Sequence, residues 1–161
     1  VLSLRDLGPA LSPFNAFLLL TGIETLSLRM QRHCDNALAV ATHLSGHSAI
    51  DYVNYPGLPG DRYHNLAKRY TPKGSGAVFT IGLKGGYQAG VKLVSNLKLF
   101  SHLANIGDTR SLVIHPASTT HKQLTDAQKS AAGAGPEVVR LSIGIEDAAD
   151  IIADLDQALA A

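Results

Sequence analysis

The sequence contains no tryptophan and one cysteine, Cys34, in 161 residues. A single thiol excludes a disulfide within the chain and suits a reducing compartment, so the expected location is cytoplasmic. Charge is sparse and balanced, with 17% charged residues and a net charge of +1. Lysines and arginines are scattered, with no run longer than Lys68–Arg69. That removes the basic patch or stripe that marks a nucleic-acid binder. Long hydrophobic runs are missing too: the longest apolar stretch, around "AFLLL" at 16–20, is far too short to span a bilayer. No basic segment precedes a hydrophobic one at the start, so no cleavable signal is visible. There is no internal repeat and no low-complexity tract. The chain starts at Val1 without an initiator methionine, and the expectation is a piece of something longer.

What is present is the composition of an ordinary globular domain, 45% hydrophobic, on a chain long enough to bury a real core. Helical and extended patterns alternate. Ser12 stands as an N-cap before Pro13 at the first helical position, and Phe14, Phe17, Leu18, Leu20 and Ile23 follow at helical spacing. "SLRMQRHCDNALAVATHL" continues with a second helical pattern ending at Gly46, and the two patterns form either one bent helix or two in sequence. Strands are predicted at about 50–54, at "AVFTIGL", "LKLFSHLA" and "SLVIH", and at "VVRLSIGI". Helices are predicted at about 62–70, at "YQAGVKLVSNL", at "TDAQKSAAG" with Thr125 as N-cap and Gly133 past its end, and at "AADIIADLDQALAA" after Asp147. This order implies one sheet with helices on one or both faces.

Most motifs with chemical potential are unremarkable in context. The glycines of "KGSGAVF" precede a strand rather than a helix, so they do not form a phosphate loop. His43 and His47 straddle the helix end at Gly46 and lack a cysteine or carboxylate partner at ligand spacing, so no metal is expected. His102, His115 and His121 surround one segment and suit hydrogen-bonded loop positions. Cys34 lies within a helix and serves as a small hydrophobe. No serine occupies a "GxSxG" elbow. Two features stand out. In "EVVRLSIGIED", Val139, Leu141, Ile143 and Ile145 alternate onto one face, leaving Arg140, Ser142 and Gly144 on the other. Arg140 either pairs with an internal acid or presents its planar fork to a carboxylate ligand, with space above its small neighbours. The second feature is the segment 101–124, where a polar "NIGDTR" turn separates two strands and a Ser/Thr/His loop follows, the kind of segment that carries binding residues.

Taken together, "GPALSPFNAFLLLTGIETLSLRM", "VNYPGLP", "LFSHLANIGDTRSLVIHPASTTH" and "VRLSIGIED" resemble the C-terminal part of the cysteine and methionine metabolism enzymes that use pyridoxal phosphate. Within that family they are most similar to the O-acetylhomoserine sulfhydrylase branch. The resemblance spans essentially the whole chain. It implies an α/β (α+β) fold, the C-terminal domain of the aspartate-aminotransferase-like (fold type I) architecture, with a mostly antiparallel sheet and packed helices. Residues 1–46 are then the helical connection from a cofactor domain, and 47–161 the C-terminal domain.

The resemblance also implies roles for named residues. Arg140 matches the arginine of the "R-L-S-x-G-x-E" strand that holds the substrate α-carboxylate. Asn105 stands in the turn that completes the carboxylate pocket, where lyases and cystathionine synthases usually show "SLG". Arg110 stands where those relatives commonly carry a glutamate near the substrate side chain. Thr119, Thr120 and His121 match the rim of the active site. The family's Schiff-base lysine lies upstream in a "Ser-x-x-Lys" context, which none of Lys68, Lys73, Lys84, Lys92, Lys98, Lys122 and Lys129 shares. The implied cofactor, pyridoxal 5'-phosphate, would therefore not be held covalently by this chain, and no catalytic or cofactor-binding residue is assigned within it. The implied activity of the parent is a γ-replacement in methionine biosynthesis, with O-acetyl-L-homoserine and sulfide giving homocysteine, in a homotetramer built as a dimer of dimers. Sister activities on the same scaffold are cystathionine γ-synthase and methionine or cystathionine γ-lyase. The other alternative is a non-catalytic folded remnant, whose apolar face from Phe14 and Phe17 would drive self-association.

Overall fold

The computed structural model of the chain describes residues 2–8 and 10–161. A short helix absent from the sequence reading, α1 (Leu2–Leu7), precedes α2 (Pro13–Glu24) and α3 (Leu26–Ser45). Ser12 caps α2 as its neighbours predict: its hydroxyl accepts from the Asn15 N–H at 3.1 Å, and Pro13 follows directly. The remaining elements are β1 (Ile50–Asn54), α4 (His64–Tyr70), β2 (Val78–Leu83), α5 (Gly86–Asn96), β3 (Ser101–His102), β4 (Leu112–Ile114), a 3-10 turn (Pro116–Ser118), α6 (Asp126–Ala131), β5 (Val138–Ser142) and α7 (Ala148–Ala160).

The strands form one sheet in the order β1-β2-β5-β4-β3. Only β3 and β4 run parallel; the pairs β1–β2, β2–β5 and β4–β5 are antiparallel. The sheet is thus the mostly antiparallel one expected. β5 sits at its centre, with Val139 opposite Ile81 and Leu141 between Phe79 and Val113. These side chains form one core with Ala37, Val40 and Leu44 of α3, Leu93 of α5, and Ile151 and Leu155 of α7. Alternation along β5 therefore decides the fold: odd residues meet the helices, and even residues leave that layer. On the other face Leu112, Ile114 and Val138 are buried outside this core, as are Ala117 and Ala134 of the 115–136 segment.

Two strand predictions prove too long, for the same reason. The "LKLFSHLA" segment contributes only Ser101–His102 to the ladder. The carboxylate of Asp154, buried on α7, takes the backbone N–H groups of Lys98 and Leu99 at 2.8–3.1 Å and diverts them from sheet pairing. The predicted "VVRLSIGI" strand stops at Ser142, because side chains of other elements capture the backbone beyond it. The helix stops are more faithful. Thr125 and Gln128 form a capping box on α6, and Gly133 adopts φ 68° just past it, so that the Ala134 N–H reaches the Lys129 carbonyl at 2.8 Å.

No residue of α2 is buried, although Phe14, Phe17, Leu18, Leu19, Leu20 and Ile23 all lie on it. Phe14 is 67% and Phe17 62% exposed, and an apolar patch of this size marks an interaction surface. On its own, the 161-residue chain is expected to self-associate through α2. Sedimentation velocity should show mass rising with concentration, and the double change Phe14→Ser with Phe17→Ser should shift the population toward monomer. A monomer at all concentrations would contradict the expectation. Among the described residues no helix is long and apolar enough to cross a membrane.

Candidate functional site

Arg140 lies at the middle of the central strand, between Thr80 on β2 and Ile114 on β4. Its position in the alternation turns it away from the core that takes Val139 and Leu141. The side chain is half-buried. Its Nη2 donates to the Asn105 carbonyl at 3.2 Å, and no carboxylate of the described residues stands at ion-pair distance from it. The acid-paired alternative is therefore not the arrangement found. A guanidinium carries five N–H donors in a rigid fork, and this one uses a single donor on the described residues.

Asn105 opens the turn 105–110, and its side-chain oxygen accepts from the Ile106 N–H at 2.8 Å. The structure thus joins Arg140 to Asn105 through the asparagine backbone, leaving the amide nitrogen of that side chain at an exposed position. Arg110 does not join them. Its backbone N–H and its Nε donate to Asp108 Oδ1 at 3.0 and 3.4 Å, and its side chain is 63% exposed. Those donors, the backbone one first, hold the Asp108 carboxyl below the ordinary aspartate range.

The space expected above Ser142 and Gly144 is occupied, and both residues are buried. The backbone of 109–111 lies directly on Gly144: a Cβ there would stand 2.5 Å from the Thr109 carbonyl oxygen and 2.6 Å from the Arg110 carbonyl carbon. The Ile145 N–H donates to the Thr109 carbonyl at 2.9 Å, and the Gly144 N–H to Ser111 Oγ at 2.9 Å. Glu146 completes the join by accepting from the Ser111 N–H at 2.6 Å and from the Ser111 hydroxyl at 2.9 Å. From the other side, α3 grips the same backbone. His33 Nδ1 hydrogen-bonds the Ile143 carbonyl at 2.6 Å, which makes Nδ1 the protonated nitrogen, and His33 Nε2 is buried without a partner among the described residues. Asn36 Nδ2 donates to the carbonyls of Gly144 and Glu146, and Arg32 Nη2 to that of Glu146. Sequence reasoning passed over Ser111, Glu146, His33 and Asn36. The one signal available was the glutamate closing "R-L-S-x-G-x-E".

Other candidates serve local structure. Thr119 donates to the His115 carbonyl at 2.8 Å, and Thr120 hydrogen-bonds His121 Nδ1 at 2.9 Å. Buried His115 hydrogen-bonds Ser118 and the Pro136 carbonyl and meets the Tyr87 ring edge-on at 5.0 Å. His43 binds Asp156 at 2.7 Å. Among the described residues, no three His, Cys, Asp or Glu side chains gather as a metal site. A groove of about 720 Å³ runs between α3 and the 70–76 loop, lined by Met30, Cys34 and Tyr70, and none of Arg140, Asn105 and Arg110 borders it. The arrangement around Arg140 suits one end of a small anionic molecule.

A family model described as Cys/Met metabolism PLP-dependent enzyme matches residues 2–160. The chain is 54% identical over 157 residues to O-acetyl-L-homoserine sulfhydrylase 1 of Thermus thermophilus, covering 98% of this chain and 37% of that protein. It is 52% identical over 157 residues to the homocysteine synthase of Schizosaccharomyces pombe, with 98% and 37% covered. A crystal structure of a protein described as an O-acetylhomoserine (thiol)-lyase from Campylobacter jejuni superposes with a TM-score of 0.88 at 45% identity, over 98% of this chain and 38% of that one. That crystal structure carries N'-pyridoxyl-lysine-5'-monophosphate at its position 205. The chain thus spans a little over a third of the length of these relatives. On a match across nearly its whole length, the chain belongs to the family of Cys/Met metabolism PLP-dependent enzymes.

Proposed function

We propose that this chain is the substrate-carboxylate side of a pyridoxal-phosphate enzyme that replaces the acetate of O-acetyl-L-homoserine with sulfide, giving homocysteine. The observation that carries the reading is Arg140: a strand arginine with no acid partner among the described residues, held at one donor by Asn105. The names of the relatives supply the reaction class. Pyridoxal phosphate, when bound, supplies the electron sink that such chemistry at the α, β and γ carbons needs. The part of this chain is binding and orientation. Arg140 takes the α-carboxylate in a two-pronged, charge-assisted contact, and the Asn105 turn closes the pocket beside it. Arg110, which in this structure is turned to Asp108, is proposed to come near the substrate side chain and favour the acetyl leaving group or the sulfide nucleophile. None of the seven lysines stands in the expected context, so the proton-moving lysine belongs to polypeptide outside these residues, and this chain alone is inactive.

On the same reading, residues 1–46 connect from the cofactor-bearing part and 47–161 form the C-terminal domain. The bare apolar surface of α2 supports such a connection, while the second half of α3 is already built into the core of the sheet. A cytoplasmic homotetramer remains part of the proposal.

A product assay tests it. The full-length holoenzyme, given O-acetyl-L-homoserine with sulfide or with cysteine, should form homocysteine and little cystathionine. Preferential cystathionine formation would move the assignment to cystathionine γ-synthase, and turnover of methionine or cystathionine without an added thiol to a γ-lyase.

A further inference from the structure

The join at Glu146 has a use beyond local packing. Its carboxylate takes both donors of Ser111, and its own carbonyl takes donors from Asn36 and Arg32 on α3. One residue therefore ties the helix to the root of the turn that starts at Asn105. Ser111 is fully buried, and its hydroxyl both donates to Glu146 and accepts from the Gly144 N–H. Ser111 also pairs its carbonyl with the Ser101 N–H at 3.0 Å. The two ends of the excursion between β3 and β4 are thereby fixed at Ser111, the Ile145 N–H holds the turn at the Thr109 carbonyl, and among the described residues the tip at Asn105 is tied to β5 by the Arg140 side chain. If the root shifts, the Asn105 carbonyl shifts relative to the guanidinium.

We propose that Glu146, acting through Ser111, is a positioning residue that sets how tightly Arg140 and the Asn105 turn hold the α-carboxylate of an amino-acid substrate. The proposal rests on the reading of Arg140 given above. Glu146 touches neither substrate nor cofactor in this account. Its carboxylate accepts two hydrogen bonds, and it fixes register in the manner of a second layer behind a binding site. Bonds to a charged acceptor are the stronger kind, so their loss is felt where the geometry they fix is used.

The test uses the full-length holoenzyme with four variants: Glu146→Ala, Glu146→Gln, Ser111→Ala and Arg140→Lys. Glutamine keeps an acceptor for the Ser111 N–H and loses the carboxylate oxygen that faces the hydroxyl. Glu146→Ala should raise KM for the amino-acid substrate about tenfold, Glu146→Gln should raise it less, and Ser111→Ala should match Glu146→Ala. In all three, kcat should fall far less than KM rises, and KM for sulfide should stay put. A merely structural role would lower thermal stability without this split. Glu146→Ala with an unchanged amino-acid KM overturns the proposal when Arg140→Lys raises that KM. Should Glu146→Ala fail to fold, an unchanged KM in Ser111→Ala overturns it alone. If Arg140→Lys itself leaves KM unchanged, the carboxylate reading of Arg140 falls, and this proposal falls with it.

Discussion

Replacing Arg140 with alanine in the full-length holoenzyme is expected to lower kcat/KM for the amino-acid substrate by two to three powers of ten. The magnitude follows from what the side chain has to offer. Hydrogen bonds to charged partners contribute about 1.5–3 kcal/mol each, and a two-pronged contact to a carboxylate uses two of them. Imperfect additivity brings the sum to roughly 3–4 kcal/mol, or 10²- to 10³-fold. Among the described residues the guanidinium is bound by one carbonyl and no acid, so little intramolecular pairing must be undone when a ligand arrives. Alanine also leaves the fold alone, because Arg140 is not among the residues of the core. Steady-state kinetics with varied O-acetyl-L-homoserine and saturating sulfide would decide the matter. A kcat/KM within about threefold of the parent, a loss below ~1 kcal/mol, would remove Arg140 from the substrate site.

The period-two pattern of β5 shows how much could be read in advance. Alternation alone assigns Val139, Leu141, Ile143 and Ile145 to one buried face; the first three are fully buried, while Ile145, three residues past the end of β5, is half-buried. Arg140 was singled out because it broke the apolar pattern of the strand at a position facing away from that core. Helix starts at Ser12, Thr125 and Asp147 were legible because capping is a local act between residues two or three apart. What stayed hidden depends on contacts between distant segments. Asp154 shortens β3 from 55 residues away, and His33 and Asn36 seize the carbonyls after β5 from about 110 residues away. No local pattern announces such pairs. The smallness of Ser142 and Gly144 suggested room for a ligand, but the structure uses it to bring the 109–111 backbone down onto the strand end. A small residue signals close approach, and sequence does not say by what.

That last point yields the second strong expectation, a large rise in the amino-acid KM on changing Gly144 to alanine. The added methyl would stand 2.5 Å from the Thr109 carbonyl oxygen and 2.6 Å from the Arg110 carbonyl carbon. The Glu146 carboxylate stands closer still and, as a side-chain tip, can swing away at the expense of its Ser111 bonds, whereas these two neighbours are backbone and cannot rotate aside. Gly144 has no left-handed φ, and the conflict is one of space alone. Either the 109–111 segment lifts or the strand end retreats, and both moves stretch the Ile145–Thr109 and Gly144–Ser111 bonds. Overpacking of this kind costs about 1–3 kcal/mol. Where the distorted element carries the binding turn, that cost should reach the substrate as roughly a 5- to 150-fold rise in KM. Gly60→Ala is the matched control, since nothing lies within 4 Å of a Cβ there, and it should change neither KM nor thermal midpoint. The Arg140 and Gly144 variants then separate charge from shape. Lysine at 140 restores the charge without the fork and should recover part of the loss, whereas no side chain larger than glycine at 144 restores the space. A Gly144→Ala enzyme with a parental KM would show that the turn over β5 can move without disturbing the carboxylate, and that Arg140 binds it unaided.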